Sequence, residues 1–416
     1  MSATIFPHKF ACSALAVVLL TALASPVLAG NREQAKRIHD RLVGTPPSAE
    51  CLDQLEAKVA AGNATDAALD AITDDTSTNP GDKCIGQEFY RVTLKNFITP
   101  WTNEEQTVFA PLNDYTATLI GMIRDDKDFR GILSDNIIYV GTAGGAIPAY
   151  SNTNNDHYKK LEDLGVDLQA DLQEKTQTEV TGLAANATAG IFTTRAAAKA
   201  FFVDGTNRAM FRFTMLNHLC NDMDQVKDTT YPPDRIRQDV SRSPGGDSTI
   251  FMNACVGCHS GMDPLTQAFA YYDYDYDVAT DPDAENGQLV FTDGIVQPKY
   301  LQNSSNFEYG YVTPDDHWTN YWRAGSNSAL GWANNADGIP APGNGDGHGA
   351  KTMGEELANS KAFARCQVEK VFKAVCLRAP IEASDRTQVD IMITTFQGSG
   401  HLKQVFADSA VFCKGS

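Results

Sequence analysis

The stretch NACVGCHSGMDP, residues 253–264, places Cys255 and Cys258 three apart, with His259 directly after the second. Two thiols one helical turn apart can reach the two vinyl groups on one edge of a haem. The next residue then lies under the iron, where an imidazole nitrogen can bind it. The pattern therefore reads as covalent attachment of one haem c, with His259 as the proximal iron ligand. Two rival chemistries fit less well. Zinc wants four ligands, usually a second Cys/His pair at short spacing, and the chain has no second C-x-x-C. A dithiol redox centre follows a strand in a βαβ unit, whereas STIFMNA ahead of the motif reads as a helix capped by Asp247 or Ser248. A single motif also argues against a di-haem or multihaem wire within this chain.

The second axial position needs a residue from elsewhere. Electron-transfer haems often pair His with Met. Met353, in GHGAKTMGEEL, reads as part of a loop entering the last long helix and is the leading distal candidate. His348 in GNGDGHG comes next, then His317. Met262 and Met252 are too near His259, because the chain would have to wrap round the haem edge at once; Met262 reads instead as packing beside the haem. His218 lies in an apolar helix and reads as a hydrogen-bonded core histidine. An iron left without a distal side chain would be open to water or a small ligand.

The N-terminus sets the compartment. A polar start with Lys9, an apolar run from Ala11 to Ala24 and a small-residue end at Ala29 make residues 1–29 a secretory signal peptide. The run is shorter than the roughly 20 apolar residues of a spanning helix, so a periplasmic or secreted protein without a membrane span is expected. Six of the nine cysteines lie outside both signal and motif: Cys51, Cys84, Cys220, Cys366, Cys376 and Cys413. In an oxidising compartment they can form up to three disulfides. Cys51 with Cys84 and Cys376 with Cys413 are local guesses. Cys366 and Cys376 share one helical stretch that separates them by about 15 Å, too far for a direct bridge. The formal net charge of −18 disfavours nucleic acid and anionic membranes and suits a basic redox protein partner.

Around the motif, the chain reads as mainly α. Residues 30–230 form a helical N-terminal domain, with breaks at Gly44, Pro46-Pro47 and Gly62 and a helical pair turned at Gly205. YPPDRIRQDVSRSPGGD has linker character, which places the boundary near Tyr231. Residues 231–416 form the haem domain, with long irregular loops. There, GQLVFTDGIVQPKYL suggests two strands around Asp293-Gly294. The acids of YYDYDYD and DPDAENG lack the ordered spacing of a calcium loop and read as solvated surface. Ala364, Val368, Val371, Phe372 and Val375 form a helical stripe, and SDRTQVDIMITTF is one more helix. No G-x-S-x-G and no phosphate-binding Gly-rich loop is present.

CVGCHSGMDPLTQAFAYYDYD resembles the C-x-x-C-H-x-x-M-D-P motif of planctomycete-type cytochrome c proteins. RLVGTPPSAECLDQL is similar to a helical opening in the same group, and FARCQVEKVFKAVCLRAP to their C-terminal helix ending in Arg-x-Pro. The chain has Cys376-Leu377 where those proteins often place Gly before the arginine at 378. The resemblance implies a cytochrome c-like haem domain on a helical scaffold and no known substrate. The expected function is single-electron transfer by an exported monohaem c-type cytochrome. The alternatives are a peroxidase-like haem protein with an open axial site, or a haem-bearing docking scaffold.

Overall fold

A computed structural model describes residues 29–73, 84, 86–334 and 345–415. All of the expected export segment except Ala29 lies outside the described residues. The described chain is mainly α, with three two-stranded antiparallel ribbons.

Helices α1 (Asn31–Val43), α2 (Ala49–Ala60) and α3 (Ala64–Ile72) pack on one another. Gly44 ends α1 at φ 79°, and Ser48 caps α2 by accepting from Cys51 N. Asn63, just ahead of α3, makes no side-chain cap. GQEFYRVTLKNFITPW breaks into a π turn (Phe89–Leu94), an α turn (Lys95–Ile98) and a 3-10 turn containing Pro100. Next come α4 (Asp114–Arg124), β1 (Ile138–Val140), α5 (Asp156–Asp163) and β2 (Gln173–Lys175), with β1 and β2 paired. The expected helical pair is present as α6 (Arg195–Phe201) and α7 (Arg208–His218).

The motif helix α8 (Val256–Thr266) leads into β3 (Tyr272–Tyr276) and β4 (Gly287–Phe291). The strands expected to flank Asp293-Gly294 do not pair with each other. Instead β4 pairs with the YYDYDYD run, Tyr274 opposite Leu289. The reason is alternation: Tyr272 and Tyr274 are buried while Asp275 faces solvent, a two-residue period suited to a half-buried strand. The ribbon β5 (His317–Thr319) and β6 (Asp346–His348) is followed by α9 (Gly349–Ala358), α10 (Lys361–Cys376), α11 (Ala383–Ser399) and α12 (Leu402–Phe412). The helical stretch that follows Met353 divides at Ser360, which caps α10 by accepting from Phe363 N.

One hydrophobic cluster runs from Ala35 to Ala410 and takes residues from both sides of Tyr231. Helix α12 packs on α1 and α3, so the C-terminal end closes over the N-terminal helices. Both local disulfide guesses are present, Cys51–Cys84 and Cys376–Cys413. The third bridge, Cys220–Cys366, joins the segment just after α7 to α10 across 146 residues. It ties the helix that supports the motif to the C-terminal helices.

Candidate haem-attachment site

A π turn, Phe251–Cys255, ends on the first motif cysteine, and α8 starts at the next residue. Asp247 caps the preceding turn by accepting from Thr249 N, as the sequence suggests. Cys255, Cys258 and His259 stand at i, i+3 and i+4, which puts them on one face of the helix. All three are half-buried at the surface, and Met252 beside them is 58% exposed. Cys255 and Cys258 are the free cysteines; the other six described cysteines are paired. Burial pushes the Cys258 thiol up from its ordinary value, and Asp224 adds to this. That is the opposite of the lowered pKa a reactive dithiol needs.

His259 is held from behind. Its Nδ1 faces Asp263 Oδ1 at 3.1 Å, one turn further along α8. A carboxylate only accepts, so Nδ1 carries the proton and the Nε2 lone pair is free. Asp263 is fully buried. Burial alone would raise its pKa, but the charge of Arg208 outweighs it, helped by Arg237 and by the His259 hydrogen bond, and holds the carboxyl well below the usual range. Arg208, at the start of α7, donates to both Asp263 oxygens at 2.7 and 2.9 Å and to both Asp239 oxygens at 2.6 and 3.0 Å. The Arg237 backbone N donates to Asp263 Oδ2 at 3.2 Å.

The inner face of α8 is made of small residues. Gly257 lies against Asp228 and Thr229, and Gly261 against the fully buried Trp322. The Tyr231–Arg242 stretch, expected as a linker, packs beside the motif instead. Ile236 and Val240 form a small core with Phe251 and Val256. Arg242 lies between the Phe251 and Phe307 rings, 4.9 and 4.6 Å from their centroids, and donates to the backbone oxygens of Val240 and Ile236. Arg237, the fully buried arginine of the stretch, donates from Nη2 to Thr206 Oγ1 and lies 4.6 Å from the Tyr300 ring centroid, while its Nε and Nη1 have no hydrogen-bond partner among the described residues.

The distal candidates are placed as follows. Met353 sits within α9 rather than in a loop, and it is fully buried. Helix α9 packs on the Phe129–Leu133 and Gln267–Phe269 turns. His317 and His348 face each other across the β5–β6 ribbon, rings 5.0 Å apart, with His348 Nδ1 2.8 Å from Asp316 Oδ1. Strand β5 packs against α8. Met262 is buried in the main core, which fits its expected packing role, and Met252 is exposed. His218 is a core histidine, with Nε2 2.7 Å from Tyr115 Oη.

Sequence reasoning missed Arg208, Asp239 and Asp263. Asp263 had a signal, four residues after His259 on a helix. Arg208 and Asp239 had none, since they lie 55 and 24 residues from Asp263. Both also wall a groove of about 870 Å³, which the motif residues themselves do not line. Among the described residues no helix is long and apolar enough to cross a membrane, and no group of three or more His, Cys, Asp or Glu is placed to hold a metal ion. No family model, curated protein or solved structure matches this chain.

Proposed function

We propose that this chain is an exported c-type cytochrome that carries one haem on Cys255 and Cys258, with His259 as proximal ligand, and transfers single electrons. The observation that carries this reading is the donor set. Two half-buried thiols outside any disulfide sit one turn apart beside an imidazole whose Nδ1 is tied to a buried carboxylate and whose Nε2 is free. When bound, haem supplies a one-electron iron couple.

The chain's own residues supply the rest. Asp263 takes the Nδ1–H bond, which orients the ring and makes Nε2 a stronger donor. Arg208 keeps that carboxylate ionised and in place. Arg242, clamped between two rings, fixes the strip that flanks the first cysteine. Asp222 and Asp224 lie near Cys258, and with the net charge of −18 they favour a basic redox partner. Three disulfides and the expected export segment favour an oxidising compartment.

The test is purification of the full chain from a host that attaches haem c outside the cytoplasm. One haem per chain should resist acid extraction and give a thioether-type pyridine haemochrome spectrum. The Cys255→Ala/Cys258→Ala double variant should carry none. A chain that exports, folds and forms its disulfides without covalent haem would overturn the proposal. A five-coordinate, ligand-reactive iron would redirect it to the open-site, peroxidase-like alternative.

A further inference from the structure

Arg208 has five N–H donors, and each has a partner. Nε donates to Asp263 Oδ1 and one Nη2 hydrogen to Asp263 Oδ2. The other Nη2 hydrogen goes to Asp239 Oδ1, and Nη1 goes to Asp239 Oδ2 and, at 2.9 Å, to Thr206 Oγ1. A planar guanidinium with both edges filled by carboxylates cannot turn. The Asp263 carboxylate is then fixed too, with each oxygen accepting two bonds: Oδ1 from Arg208 and His259, Oδ2 from Arg208 and the Arg237 backbone.

We infer that Arg208 is a positioning residue for His259: from another helix, it sets the plane of Asp263 so that the imidazole holds its proton on Nδ1 and presents Nε2 outward. The significance of this for iron rests on the haem reading, but the arrangement belongs to the chain itself. Asp263 shares α8 with His259, so the helix alone brings the two together. It does not set the rotation of the carboxylate about its Cβ–Cγ bond. The fork of Arg208, anchored on its outer edge by Asp239, does. Lysine at 208 would keep the charge and lose the fork.

Long-range proton–nitrogen NMR of the full, haem-free chain labelled on histidine reads the tautomer directly at alkaline pH. Wild type should show His259 protonated on Nδ1 alone. Arg208→Lys and Asp263→Asn should each introduce the Nε2–H form. If Arg208→Lys does not fold, Asp239→Asn frees the outer edge of the fork and should give a second His259 signal beside the first. Folded variants that all keep the wild-type signal would overturn the inference. In the haem-loaded chain, Asp263→Asn should raise the reduction potential, and Arg208→Lys should move it the same way. A chain that attaches no haem would remove the proposed function while leaving the tautomer result standing.

Discussion

Gly261 lies so close to Trp322 that a Cβ at residue 261 would stand 1.8 Å from the indole Nε1. Because Trp322 is fully buried, its ring has no free space to retreat into. One turn earlier, a Cβ at Gly257 would come 3.3 Å from the Asp228 backbone N. The two glycines let α8 sit directly on its floor, so its outer face can carry Cys255, Cys258 and His259.

Gly261→Ala should therefore destabilise the fold by at least about 1–3 kcal/mol through overpacking. Chemical denaturation of purified variants measures this. Gly257→Ala should cost less, since its contacts are only tight. Equal stability of Gly261→Ala and wild type would mean that α8 is less firmly seated than described.

Met353 separates packing from ligation. It is fully buried on α9, and truncating such a residue costs about 2–5 kcal/mol, so Met353→Ala should lower the melting midpoint whatever the iron binds. Met353→Leu keeps the volume and removes the thioether. As a packing residue, Met353 should tolerate leucine with an unchanged visible spectrum. Loss of a thioether-to-iron charge-transfer band in that variant would instead make it the distal ligand.

The Cys220–Cys366 bridge spans 146 residues and the Cys51–Cys84 bridge spans 33. Chain entropy scales with the logarithm of the loop, which gives about 5 against about 4 kcal/mol. Cys220→Ala/Cys366→Ala should be the more damaging pair, as read by thermal unfolding of the oxidised protein. The reverse order would place the main stabilisation in the N-terminal helices.

His218 predicts an acid dependence. Burial, with a smaller push from Lys370, drops its pKa well below the ordinary 6.5, so it stays neutral in the fold. As pH falls through about 6.5, the unfolded chain takes up a proton that the folded chain refuses. Stability is thus full above about pH 6.5 and lost on acidification, at up to ~1.4 kcal/mol per pH unit. His218→Gln should flatten this slope, even if it costs stability at neutral pH. His39 is lowered for the same main reason and leaves a residual slope. An unchanged pH profile in His218→Gln would assign the dependence to other groups.

Short-range features were legible in the sequence. The motif's spacing, the cap at Asp247, the stop at Gly44 and the α10 stripe all act within a few turns of the chain, where periodicity and capping chemistry decide the outcome. Two of the three disulfides were legible for the same reason, because their partners are close along the chain. The YYDYDYD run, read as solvated acidic surface, instead forms the strand β3, whose partner strand is set by the fold. Tertiary structure alone decided which residues hold the His259–Asp263 pair from behind. Arg208, Asp239 and Asp263 come from three separate segments, and an ion pair between residues 55 apart leaves no trace in local pattern. It also decided that the Arg-rich stretch after Tyr231 would be packed rather than free, since the rings of Tyr300 and Phe307 that its arginines meet lie far along the chain.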